Sequence, residues 1–239
     1  MIDFIKIHVE KPKKIGGPSI AYPKFLLKKS SDLMIQGGDF YAIWIEEKGL
    51  WSKDEQDAID MIDNELRMFV EANKDKYTEL IPLYLWDSTS GMIDRWHKYC
   101  QKQLRDNYHV LDEKLIFSNT VTTREDYASK KLNYPLEPGT ITAYDALMST
   151  LYSPEEREKL EWAIGAIVSG DSKKIQKFLV LYGSAGTGKS TVLNIIQKLF
   201  EGYCSSFDAK ALGSANSSFA LAVFIMGCLS DRSVLRDCG

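Results

Sequence analysis

One stretch of this chain has the residue types and spacing of a phosphate-binding loop. Residues 183–190, GSAGTGKS, place Gly183, Gly186 and Gly188 ahead of Lys189 and Ser190, and Thr191 follows. They satisfy G-x-x-x-x-G-K-[ST] at every specified position. The chemistry follows from the types. Glycines let backbone N–H groups approach phosphate oxygens without interference from a Cβ, with Ser184, Ala185 and Thr187 as the intervening positions. The Lys189 ammonium can reach the β- and γ-phosphates, and the Ser190 hydroxyl can ligate Mg2+. A dinucleotide fingerprint is excluded, because Thr191 stands where its third glycine belongs. The expected ligands are ATP and Mg2+, held by residues 183–191.

Hydrolysis asks for a further group: an acidic residue after a second apolar strand, to hold Mg2+ and orient water. The late candidate is Asp231, which follows VFIMGCL at 223–229. Two readings of it stay open. It is the catalytic and metal-binding carboxylate, or a solvated residue after a run that covers core.

The elements around the loop are legible from periodicity. KFLVLYG (177–183) reads as a buried-type strand entering the loop, and 189–200 as a helix with Leu193, Ile196 and Phe200 on one face. SPEE at 153–156 combines an N-cap, a proline at the first helical position and Glu three residues on, which opens a helix to about Val168 with Gly170 as its stop. Earlier, FYAIW (40–44) and LW (50–51) suggest two short strands around a turn. SKDE at 52–55 predicts a capping box for a helix with Ile59, Ile62, Leu66, Phe69 and Val70 inward. A helix over about 91–106 would carry Met92, Trp96, Tyr99, Cys100 and Leu104 on one side and Arg95, Lys98, Lys102 and Arg105 on the other. KLIFSN (114–119) reads as a strand, and 124–139 as a linker or a lapping segment. Residues 1–38, rich in Lys, Pro and Gly, read as a basic lead-in arm.

Composition bounds the class. The chain has 239 residues and a net charge of −3, so the whole molecule is no electrostatic magnet for nucleic acid. Its charge is uneven: residues 1–30 hold seven lysines against Asp3 and Glu10, whereas 39–75 hold eleven acidic groups against four basic ones. The four cysteines form no CxxC pair and the three histidines have no ligand spacing, which argues against a zinc site and for a reducing compartment. No apolar run reaches membrane-spanning length, so the expected location is the cytoplasm, that of the host if the protein is viral.

Several segments together resemble a family. FYAIW…GLW, REDYASKKLNYPL, LMSTLYSPEEREKLEWAIGAIVSGDSKKIQKFLVLYGSAGTGKSTVLNIIQKLF and FDAKAL look like the primase-helicase proteins of bacteriophages and large DNA viruses. In that family a helical domain of poxvirus primase type precedes a superfamily-three helicase motor. The resemblance covers residues 38–220, is most specific over 147–212, and ceases from Leu221 onward. It implies a mainly helical domain at 39–145 after the arm at 1–38. An α/β P-loop ATPase domain would then occupy 146–239, truncated or divergent after about 220. It further implies a hexameric ring ATPase that moves along single-stranded DNA with other replication proteins, its ATP completed by an arginine of the neighbouring subunit. Only the Walker A positions, Gly183 to Thr191, carry over residue by residue.

Two function classes follow. One is a helicase-type ATP hydrolase of DNA replication. The other is a nucleotide-binding assembly module of a replication complex without turnover. A small nucleotide kinase is disfavoured, since only Arg232 and Arg236 follow Lys189 and a kinase lid needs several arginines.

Overall fold

The computed structural model describes residues 2–12, 16–36, 39–87, 89–102, 108–177 and 179–204. They form helices and strands in two compact units. One gathers the chain up to Leu111 with Val121–Ser129; the other gathers Asp112–Thr120 with the described residues from Lys130 onward.

The first unit mixes strands and helices. Strands β1 (Ile5–Glu10) and β2 (Ser19–Phe25) pair antiparallel, and β6 (Leu80–Pro82) joins β2 in parallel. A second sheet is the antiparallel meander β3 (Leu33–Gln36), β4 (Asp39–Ile45) and β5 (Leu50–Ser52), with Gly49 at positive φ in the last turn. The expected arm is therefore corrected: its described residues hold β1, β2 and β3, and Phe4, Leu33 and Met34 are buried to 1% or less. Alternating apolar residues (Ile5, Ile7, Val9) override Lys6 and His8 between them, because polar residues on the outer face leave the inner face free to bury.

Helix α1 (Glu55–Asn73) buries Ala58, Ile59, Ile62 and Leu66, and α2 (Met92–Lys102) buries Met92, Trp96, Tyr99 and Cys100. The start of α1 lies two residues later than the expected cap at Ser52: Asp54 accepts from the Gln56 N–H at 2.9 Å. Trp96 donates to Glu55 at 2.6 Å, and Phe4 and Phe25 ring contacts close the core around it. Leu104 and Arg105 lie outside the described residues. A second cluster joins Met34, Ala42, Trp44, Trp51 and Leu111. Of the two readings for 124–139, linker or lapping segment, Ala128 follows the second: it is buried and accepts from the Trp51 N–H at 2.8 Å.

Among the described residues of this unit one charged side chain is buried. Asp63 is 3% exposed and accepts from the backbone N–H groups of Leu85 (2.7 Å) and Trp86 (3.1 Å). Burial raises its carboxyl above the usual range, and the two N–H donors pull the other way.

The second unit is helical in its described part: α3 (Thr142–Leu151), α4 (Pro154–Val168), the single turn α5 (Ser172–Ile175) and α6 (Lys189–Leu199). Helix α4 begins as its sequence dictates, with the Ser153 and Glu156 side chains capping each other's backbone N–H, and Gly170 follows its end at φ 75°. Met148, Leu160, Val192, Ile196 and Phe200 form the core. Residues 114–119 form no strand, although Leu132 N–H bonds the Ile116 carbonyl at 2.7 Å and Ser118 N–H bonds that of Tyr134 at 3.1 Å. Tyr203 donates to the Lys130 carbonyl at 2.8 Å, and burial pushes its phenol up to about 12.

The strand expected at 177–183 is also corrected. Among its described residues none is in a strand, and Val180 and Tyr182 are 57% and 84% exposed. A buried strand needs a neighbour for its ladder bonds. The other apolar run suited to that pairing, 223–229, lies outside the described residues, as does Asp231.

Candidate functional site

The loop at 183–188 is held by the helix it leads into. The apolar face of α6 fixes its axis through Val192, Leu193 and Ile196, all buried. Gly188 is the N-cap at φ 75°, in the left-handed region that favours glycine. Its neighbour gives a second reason for glycine: a Cβ there would lie 2.5 Å from Cδ2 of Leu151, the last residue of α3. Leu151 is a packing support of the loop that periodicity alone did not single out. Its apolar type marks it as packing, but nothing local ties it to a loop 37 residues on.

At the mouth of the loop the Lys189 side chain folds back. Its ammonium donates to the carbonyls of Gly183 (2.9 Å) and Ser184 (2.6 Å) and to the Thr187 hydroxyl (3.1 Å). All three ammonium donors are thus engaged by the loop itself. Thr187 in turn donates to the Ser184 carbonyl at 3.0 Å. Thr187 stands at an unspecified motif position, so its role in bracing the loop is a finding of the geometry. Gly186, at φ 83°, makes the turn between these contacts.

These contacts set out what the loop can do chemically. The first backbone bond of α6 runs from Val192 N–H to the Gly188 carbonyl at 3.1 Å, so the preceding N–H groups, Lys189 to Thr191, point out of the helix start. Ser184, Ala185, Gly186 and Thr187 are exposed, and so is Ser190. An exposed loop, a lysine ammonium and the positive end of a helix dipole form a site for an anion with several oxygens. The donor set fits a polyphosphate. It fits Mg2+ through one protein oxygen, that of Ser190, an ion that keeps most of its waters when it bridges phosphates. Among the described residues no cluster of His, Cys, Asp or Glu could hold a metal by itself.

Other residues singled out from the sequence are placed as follows. Arg95, Lys98 and Lys102 are exposed on α2, and the Arg95 guanidinium lies over the Tyr22 ring at 5.3 Å. Trp44, Trp51 and Trp96 are core, whereas Trp86 and Trp162 are 67% and 54% exposed. His97 meets Glu55 at 3.4 Å, and His109 stacks on Tyr127 at 4.1 Å. Among the described residues no helix is long and apolar enough to cross a membrane. Comparison with protein-family models, with curated proteins and with solved structures finds no match to this chain.

Proposed function

We propose that this chain binds ATP with Mg2+ through residues 183–191 and serves DNA replication as a helicase-type ATPase. The observation that carries the nucleotide reading is the convergence of Lys189 and the loop at the start of α6. A lysine held at the loop mouth by two carbonyls and a hydroxyl exchanges those partners for phosphate oxygens, which are stronger acceptors for an ammonium. Ser190 would hold the magnesium, which supplies charge neutralisation at the β- and γ-phosphates. The motor reading adds the resemblance of residues 38–220 to the primase-helicase proteins. It brings with it a ring of copies of the chain and single-stranded DNA as track, and Asp231, after the apolar run 223–229, would be the hydrolytic carboxylate.

Steady-state ATP hydrolysis with and without single-stranded DNA tests the motor. Turnover stimulated by DNA and abolished by Lys189→Ala is expected. Tight nucleotide binding without turnover contradicts the motor and leaves the assembly module as the function.

A further inference from the structure

The outer face of the β1–β2–β6 sheet carries an arrangement that the nucleotide site does not use. The pairing register sets Ile5 opposite Phe25, Ile7 opposite Pro23 and Val9 opposite Ala21 on the inner face. Strand alternation then puts Lys6 opposite Lys24, His8 opposite Tyr22 and Glu10 opposite Ile20 on the outer one. Lys6, His8, Glu10 and Lys24 are all exposed, and Ile81 of β6, level with Ile20, is 39% exposed.

Two features of this face call for an anion with flat rings. Lys6 and Lys24 are direct cross-strand partners, and like charges so placed repel. Neither makes an ion pair with a described residue. Beside them the His8 and Tyr22 rings lie 5.3 Å apart, and the Arg95 guanidinium covers Tyr22 at 5.3 Å. Three cations thus surround the exposed His8 ring and the half-buried Tyr22 beside it, in a chain whose net charge is −3. Glu10 lies at the other end of the face and confines the basic stretch to the Lys6–Lys24 end.

We propose that this sheet face binds single-stranded DNA, with phosphates at Lys6, Lys24 and Arg95 and a base stacked on the exposed His8 ring, which Tyr22 backs from the core side. Cations that track a backbone beside aromatic platforms are how proteins hold single strands, whose bases are free to stack. A duplex keeps its bases stacked and would engage only the cations. The choice of DNA over RNA rests on the replication reading above.

Fluorescence anisotropy of the full chain with labelled oligo-dT of about 20 nucleotides, without ATP, tests the assignment. Lys6→Thr with Lys24→Thr should weaken binding by roughly tenfold or more. It should also lower the slope of log affinity against log salt by about 1.4, the loss expected for two phosphate contacts on a single strand. His8→Ala should weaken binding several-fold with the slope unchanged. Lys98→Gln with Lys102→Gln, on the basic side of α2, should stay within about twofold of wild type. Matched thermal melts establish that each variant is folded. Wild-type affinity in the sheet variant, loss confined to the α2 variant, equal affinity for duplex, or tighter binding of oligo-rU than of oligo-dT overturns the proposal. Because no nucleotide is present, failure here leaves the ATP site standing, and failure of the ATP site leaves this face standing.

Discussion

Asp63 and Lys189 solve the same problem in opposite settings. Each is a charged side chain satisfied by the main chain: the carboxylate takes two backbone N–H groups, and the ammonium gives to two backbone carbonyls. Asp63 is sealed in the first unit, where nothing can replace those donors. Lys189 is half-buried at the edge of an exposed loop, where a stronger acceptor can take over its bonds. The same local chemistry therefore leaves one residue sealed as a structural anchor and the other open to exchange its partners. Exposure decides which.

The largest expected effect breaks the anchor. Asp63→Ala leaves the Leu85 and Trp86 N–H groups without their acceptor and should cost about 3 kcal/mol in urea unfolding. Asp63→Asn, which keeps one acceptor, should cost less. The pH dependence has a definite sign. The folded carboxyl is raised above 3.8, so the folded state holds its proton to higher pH than the unfolded chain does. Wild type should thus lose stability relative to Asp63→Asn as pH rises through the window just above 3.8. A gain over that window would mean that the donors outweigh burial.

Next comes the support beneath the loop. Gly188→Ala meets both the left-handed φ and Leu151, and should destabilise by about 2 kcal/mol. Adding Leu151→Ala removes the clash but not the backbone strain. The double variant should therefore be less destabilised than the sum of the singles, as read by a double-mutant cycle in thermal or urea unfolding. Strict additivity would show that Leu151 does not set the loop's floor. The smallest effect belongs to the cap of α4: Ser153→Ala should cost about 1 kcal/mol, with nucleotide affinity unchanged.

What was legible in the sequence divides along similar lines. The loop, the capping box at Ser153, the end of α4 at Gly170 and the inner face of α6 were readable because each is set by residues within a few positions of one another. The strands of the first 36 residues were obscured because their lysines and prolines read as an arm; only the partner strand shows that the apolar alternates face a core. Leu151 under Gly188 and the Leu85–Trp86 donors on Asp63 were invisible for a related reason. They are contacts between distant positions, and no period or spacing encodes them. The strand expected before the loop shows the converse limit, since an apolar run becomes a strand only where a partner strand satisfies its backbone.

The exchange proposed at Lys189, loop carbonyls for phosphate, is open to direct measurement. Equilibrium binding of a fluorescent ATP analogue with Mg2+ tests it most directly, comparing wild type with Lys189→Ala under conditions where both are folded. Loss of charge-assisted bonds predicts roughly tenfold to hundredfold weaker binding in the variant, with unfolding free energy changed by less than about 1 kcal/mol. Equal affinity of the two proteins, or no binding by wild type at millimolar nucleotide, would contradict it.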